Sequence, residues 1–165
     1  MVRIGFPPNK NKNNYRNPDA IYNVVSYPLK KTKTPHAVFG ALGVNGSEKE
    51  KMIVQMLSIQ KYYRKCAGKR MIHFWVSFSA EEMSVLNYSD YRHIGYAIAD
   101  FFENQHQVVF GLHENTDNTH IHFAVNPVNY CTGYKYHWQK SDTRRLKALV
   151  NQCVSETIRQ RLASG

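Results

Sequence analysis

Acidic residues are scarce in this chain. Its 165 residues hold 12 Asp and Glu against 22 Lys and Arg, a formal net charge of +10 with histidine neutral. An excess of that size speaks to partners, a polyanion first of all, more than to fold. Cysteine is nearly absent too. Cys66, Cys131 and Cys153 are odd in number and widely spaced, which excludes a disulfide framework or a Cys-x-x-Cys zinc site and suits reduced, partly buried thiols. Long apolar runs are missing: stretches such as 108–112 fall far short of a membrane span, and the opening Met-Val-Arg-Ile-Gly-Phe-Pro-Pro lacks the apolar segment of a secretion signal. No membrane insertion and a cytoplasmic location are expected. What the chain does have is core material, 42% hydrophobic and 13% aromatic residues with 11 tyrosines, enough for a single domain over 1–165 and too much for disorder.

Residues 1–16, centred on Asn9-Lys-Asn-Lys-Asn-Asn14, read as a flexible or irregular arm, with order beginning near Asn17. Asn17-Pro18 opens a short helix that runs to about Ser26 and is ended by Pro28. Residues 36–44 fit a strand or a loop equally. Ser47-x-x-Glu50 has the form of a capping box, and Met52, Met56, Ile59 and Tyr63 continue a helical stripe to near Gly68. From Met71 to Phe78 the chain alternates strictly, predicting a strand with Ile72, Phe74, Val76 and Phe78 on one face and Met71, His73, Trp75 and Ser77 on the other. Helical spacing returns over 89–104 and 141–162. The pattern predicts an α+β domain, a central antiparallel β-sheet with helices packed on one face and a site open on the other.

The informative segment is 107–126, two β-like runs flanking the polar connection Glu114-Asn-Thr-Asp-Asn-Thr119, the form of an antiparallel hairpin. If His113 pairs with His120, the two share a face and His122 joins them two residues on. That register puts Val108, Phe110 and Leu112 beside Ile121, Phe123 and Val125 on the opposite face, which is then uniformly apolar; a shift by one residue would turn every side chain over. Val109, Gly111, Ala124 and Asn126 share the histidine face and leave room above it. Three neutral imidazoles with no fourth protein ligand describe an open metal site, since a closed structural one would supply four. Glu114 and Asp117 are placed to orient the imidazoles, or simply to make the turn.

The stretch from His113 to Asn126, with a first histidine followed after six residues by His120-Ile-His122, resembles the third motif of plasmid mobilisation and conjugation relaxases, members of the HUH endonucleases. Asn23-Val-Val-Ser-Tyr27 resembles the family's helix bearing the nucleophilic tyrosine, and Ile72-His-Phe-Trp-Val-Ser77-Phe78 its second motif. All three stand in family order, although Asn115 and Asn118 occupy positions where many relatives have Asp and His. The resemblance implies an HUH-type relaxase fold. It further implies a metal-dependent, bacterial DNA-nicking enzyme that attacks single-stranded origin-of-transfer DNA with a tyrosine, forms a 5′-phosphotyrosyl intermediate and can rejoin the strand, with accessory relaxosome proteins as possible partners. Tyr27 is the expected nucleophile and Tyr22 its alternate; Tyr15 lies in the lead-in. Because Tyr27 precedes a proline, it is expected at a helix end.

The triad His113, His120 and His122 is expected to hold one divalent ion, Mn²⁺ or Mg²⁺ in action, although imidazole nitrogen would also take up Zn²⁺ or Ni²⁺ during purification. Asn126, His73 and Ser77 are expected near the ion or the substrate. Trp75 offers a stacking surface, and Lys30, Lys31, Lys33, Arg144 and Arg145 offer phosphate contacts. Tyr134, Tyr136, His137 and Trp138 are divided evenly between core packing and DNA contact. Three rivals remain open: a rolling-circle replication initiator, whose tyrosine usually follows the His-hydrophobic-His pair; a non-catalytic nucleic-acid-binding module; and a metallohydrolase that never labels itself.

Overall fold

Alternation places the sheet. Residues 2–7, 15–31, 33, 38–46 and 48–164 are described by the structure, a computed structural model. Five strands, β1 (Arg3–Gly5), β2 (Phe39–Leu42), β3 (Ile72–Ser77), β4 (Val108–His113) and β5 (His120–Val125), form one sheet in the order β1-β3-β5-β4-β2, and every neighbouring pair is antiparallel. The helices are α1 (Ala20–Ser26), α2 (Lys49–Tyr62), α3 (Ala80–Val85), α4 (Tyr88–Ala99) and α5 (Lys140–Ser164). None of them is long and apolar enough to cross a membrane. The undecided segment at 36–44 supplies β2, which pairs with β4 at the sheet edge.

On one face, Ile72, Phe74 and Val76 of β3, Val108, Phe110 and Leu112 of β4, and Ile121, Phe123 and Val125 of β5 meet Tyr91, Ile94 and Ile98 of α4 and Leu146, Val150 and Val154 of α5. Phe74 stacks on Phe123 with ring centroids 4.8 Å apart and planes 8° apart. Burying each such ring contributes roughly 1.5–3 kcal/mol, so this face is the principal core. Tyr136 and Trp138 pack against it, while Tyr134 is exposed, which divides the aromatic cluster between packing and surface.

Helices are not confined to that face. Ile21, Val24 and Val25 of α1 and Met52, Ile53 and Met56 of α2 form a second buried cluster with Met71, Val109 and Ala124, so part of the histidine-bearing face is roofed. The small residues read as open room are the seat of α1. At Gly111 the approach is closest, because a Cβ there would lie 2.0 Å from the Pro28 carbonyl oxygen. A glycine inside a strand marks this kind of backbone contact.

Three further expectations are corrected. The first residues are not wholly an arm: Arg3–Gly5 pairs with Ser77, Val76 and Trp75 and Val2 is buried, because the free edge of β3 offers unpaired backbone groups to a strand too short to show a period. Residues 8–14 lie outside the described residues. The second helix stops at Tyr62 rather than near Gly68, since Arg64 takes a left-handed φ of 54°. There the Lys65 N–H bonds the Gln60 carbonyl and the Arg64 N–H that of Lys61, the Schellman closure usually built on glycine. Its cap at Ser47 lies outside the described residues. Cys66 and Cys131 are exposed and only Cys153 is half-buried. An unexpected helix, α3, begins with a reciprocal cap between Ser79 and Glu82.

Asn126 is not at the site but beneath it. Its Oδ1 accepts from Gln60 Nε2 (3.1 Å) and the Val128 N–H (3.1 Å), and its Nδ2 donates to Gln107 Oε1 (2.9 Å) and the Met56 carbonyl (3.3 Å). The side chain is fully buried and ties α2 to the end of β5. Asn126→Ala is expected to lower stability by about 2–3 kcal/mol in urea denaturation, because Gln60 and the Val128 amide stay buried without their acceptor. A loss under about 0.5 kcal/mol, the range of ordinary surface substitutions, would contradict that role.

Candidate active site

The expected register is the observed one: His113 faces His120, Gly111 faces His122 and Val109 faces Ala124. Across the other side of β5, Ser77 faces His120 and Trp75 faces His122, with His73 opposite Ala124. One side chain from each of the three histidines offers a ring nitrogen, and these atoms all lie within 4.8 Å of one another. The surroundings set each ring. His120 Nδ1 lies 2.9 Å from the Asn118 carbonyl, which only accepts, so the hydrogen sits on Nδ1 and the Nε2 lone pair is left for a ligand. His122 Nδ1 lies 3.1 Å from His73 Nε2. Nε2 of His122 is buried without a hydrogen-bond partner, and neither buried nitrogen of His113 makes a well-formed hydrogen bond, although the Pro28 and Tyr27 carbonyls lie near that ring. Buried polar atoms are rarely left so, and one nitrogen of each ring joins the cluster, which fits a divalent cation held by three imidazoles.

Burial also keeps His113 and His122 in the form that ligates. It pushes His73 and His113 down to about 4 and His122 to about 2, with repulsion between neighbouring rings adding to it. At His113 the carbonyls of Pro28 and Tyr27 act in the opposite sense. Neutral imidazole is the metal-binding species, so no proton must be displaced near pH 7.

Tyr27 closes the site from above. It is the C-cap of α1 and keeps helical angles (φ −67°, ψ −52°) despite Pro28. Its ring centroid lies 4.7 Å from that of His122, 5.1 Å from His113 and 5.7 Å from His73. The Lys33 ammonium donates to its hydroxyl at 3.2 Å. Lys33 itself is anchored through its carbonyl, which accepts the Glu114 N–H. Tyr22 is exposed, under the Lys49 ammonium, and makes no ring contact with the three histidines among the described residues.

An open cleft of about 570 Å³ runs over this floor, lined by Tyr27, His73, Trp75, Ser77, Asp117 and His120 among others. Lys30 and Lys31 line a separate cavity of about 910 Å³ on the far side of Tyr27. Glu114 is exposed and accepts from the Tyr88 hydroxyl rather than orienting an imidazole. Arg144 and Arg145 open α5, on the opposite face of the sheet; Arg145 is engaged by Asp142 and lies over the Phe101 ring. Two contacts escaped the sequence reading. Tyr15 Oη lies 3.0 Å from His73 Nδ1, across 58 residues with no local signal, and Lys33 reaches Tyr27 rather than open solvent.

A family model for the nuclease domain of MobA/VirD2-like relaxases matches residues 27–157. The chain belongs to this family. It is therefore a DNA-nicking endonuclease, which sets aside the non-catalytic binding module. A search of curated proteins finds no match. Among solved structures, the relaxase domain of MobM (MOBV; Mob_Pre), Mn-bound and carrying plasmid pMV158 oriT DNA, is similar in fold with a TM-score of 0.55 and 11% identity, over 94% of this chain and 85% of that one.

Depressed histidines make the metal-free relaxase domain acid-sensitive. An unfolded imidazole takes up its proton near pH 6.5, whereas folded His73 and His113 resist until about 4. The unfolded state therefore binds more protons in between, and stability, complete above pH 6.5, falls as the pH drops toward 4. Scanning calorimetry with chelator is expected to give a lower Tm at pH 5 than at pH 7.5, with a smaller drop in His122→Gln. An equal drop in both proteins would assign the effect to other groups.

Proposed function

We propose that this relaxase domain cuts single-stranded origin-of-transfer DNA with Tyr27, leaving a 5′-phosphotyrosyl bond and a free 3′-hydroxyl, and rejoins the strand by the reverse step. The carrying observation is the placement of the Tyr27 ring against His113 and His122, in the wall of the cleft that His120 and His122 also line. His113, His120 and His122 hold one divalent ion, Mn²⁺ or Mg²⁺. When bound, such an ion supplies charge neutralisation at the scissile phosphate. The Mn-bound, DNA-carrying relative of the same fold supports that reading.

The chain's own groups do the rest. Tyr27 Oη gives up its proton and forms a bond to phosphorus while the bond from phosphorus to the 3′-oxygen breaks, and that oxygen takes up a proton, so none is gained or lost overall. Phosphodiester energy is kept in the new linkage, so religation needs no cofactor. A phenol with an ordinary value near 10 is a poor nucleophile at neutral pH. Lys33, donating to Oη at 3.2 Å, stabilises the developing phenolate there. Trp75, half-buried in the cleft wall, gives a base a stacking surface, a contact worth about 1–3 kcal/mol. Lys30 and Lys31, in the separate cavity on the other side of Tyr27, offer phosphate contacts that gain by displacing counterions.

The test is a labelled single strand carrying an origin of transfer, incubated with Mn²⁺ and run on a denaturing gel. Wild-type protein and Tyr22→Phe are expected to give a covalent band, and Tyr27→Phe none; full adduct from Tyr27→Phe would move the role to another residue. A companion titration by calorimetry is expected to show saturable Mn²⁺ binding that His120→Ala and His122→Ala abolish. Unchanged heats from both variants would remove the ion from these histidines.

A further inference from the structure

We propose that Tyr15 and His73 form a positioning relay that fixes His122 as its Nδ1–H tautomer and so keeps its Nε2 lone pair aimed at the metal. This rests on the reading that the three histidines hold a divalent ion. Metal-bound histidines ordinarily donate their second N–H to a carboxylate, a backbone carbonyl or water. His120 follows that pattern with the Asn118 carbonyl. His122 has another imidazole instead, and an imidazole is ambiguous, because either nitrogen donates or accepts according to its tautomer.

The surroundings of His122 Nε2 resolve the ambiguity, and the Tyr15 hydroxyl closes the row that results. His122 Nε2 is buried without a partner, and a hydrogen placed on it would point into the cluster of ring nitrogens. With the hydrogen on Nδ1, His122 donates to His73 Nε2 at 3.1 Å. His73 then carries its own hydrogen on Nδ1 and donates to Tyr15 Oη at 3.0 Å. Every bond in the row has one donor and one acceptor, and the phenol oxygen accepts the last of them. In the reversed row, Tyr15 donates inward and His122 must present N–H toward the ion, which cancels it as a ligand.

Tyr15 is held where this requires. Its backbone has a φ of 58°, a left-handed conformation that bulky residues adopt rarely and that clusters at functional sites. Its carbonyl accepts the Arg70 N–H at 2.8 Å, just ahead of β3. Its ring lies 6.0 Å from the His73 ring and packs against the cluster under α1 and α2. His73 in turn sits on β3 beside β5 by strand register, so its reach to His122 is set by the sheet.

Two readouts test the relay in the full chain. Long-range nitrogen–proton NMR on the metal-free protein is expected to show His122 as the Nδ1–H tautomer in the wild type and a mixed population in His73→Leu. Titration calorimetry with Mn²⁺ is expected to show affinity weakened by roughly 10- to 100-fold in His73→Leu, the usual effect of losing a ligand's orienting partner. A smaller loss is expected in Tyr15→Phe, and near-complete rescue in His73→Gln, whose amide oxygen accepts the same hydrogen. The glutamine variant also covers the case in which His73→Leu fails to fold. Unchanged His122 shifts and unchanged affinity across these variants overturn the relay, as does a wild-type spectrum with the hydrogen on Nε2. If the wild type binds no Mn²⁺, the metal reading fails on its own and the tautomer spectrum alone decides the relay.

Discussion

Everything at this site depends on one strand register. Side chains in a strand alternate faces every residue, so pairing His113 with His120 brings His122 to the same side and sends Leu112, Ile121 and Phe123 to the other. The apolar side cannot be exchanged with the polar one without driving three imidazoles into the packed layer beneath α4 and α5 and exposing phenylalanines to water. Core burial therefore acts as the lock on the geometry of the histidines. The site needs no special device of its own to bring the three rings together; it inherits their convergence from the hydrophobic layer on the far side of the sheet.

The second constraint is the close seat of α1. Val109 and Ala124 are small, and Gly111 has no side chain, so the end of α1 descends until the Pro28 carbonyl lies against the strand. That depth is what brings the Tyr27 ring within 5.1 Å of His113 rather than leaving it in solvent. Tyr22, five residues earlier, lies on the outer side of the same helix because five residues turn a helix through about one and a third turns. Helix phase and strand composition together thus select which tyrosine meets the imidazoles.

These constraints were not equally legible in the sequence. The hairpin was, because its period of two runs through both strands and each residue's face follows from one pairing. So was β3, for the same reason. What composition hides is docking: the small residues on the histidine face were visible, but whether a helix or a ligand would fill the space above them is decided by contacts between segments some 80 residues apart. Asn126 misled for a related cause, since a polar residue in register with the histidines sits past the end of β5 and turns into the interior, where Gln60 and Gln107 satisfy it. Tyr15 was illegible outright. Its partner lies 58 residues away, and its left-handed backbone leaves no mark in a sequence without glycine at that position.

Charge distribution sharpens what the proposed reaction asks of the site. The chain is strongly basic, yet His113 and His122 at its centre are held neutral by burial. Long-range attraction for a polyanion therefore comes from the periphery, and the floor of the cleft adds no fixed positive charge of its own. At Tyr27 the local field opposes the chemistry. A helix C-terminus carries a partial negative charge, and a phenolate formed at the C-cap of α1 would stand next to it. Lys33, held in place by the bond between its carbonyl and the Glu114 amide, is the cation that offsets that field at the oxygen itself. Its anchor lies in the same connection that carries Asn118, the carbonyl that orients His120. One six-residue turn thus sets the proposed metal-facing imidazole on one side and the charge beside the proposed nucleophile on the other, so a change in its conformation would be felt by both halves of the proposed reaction at once.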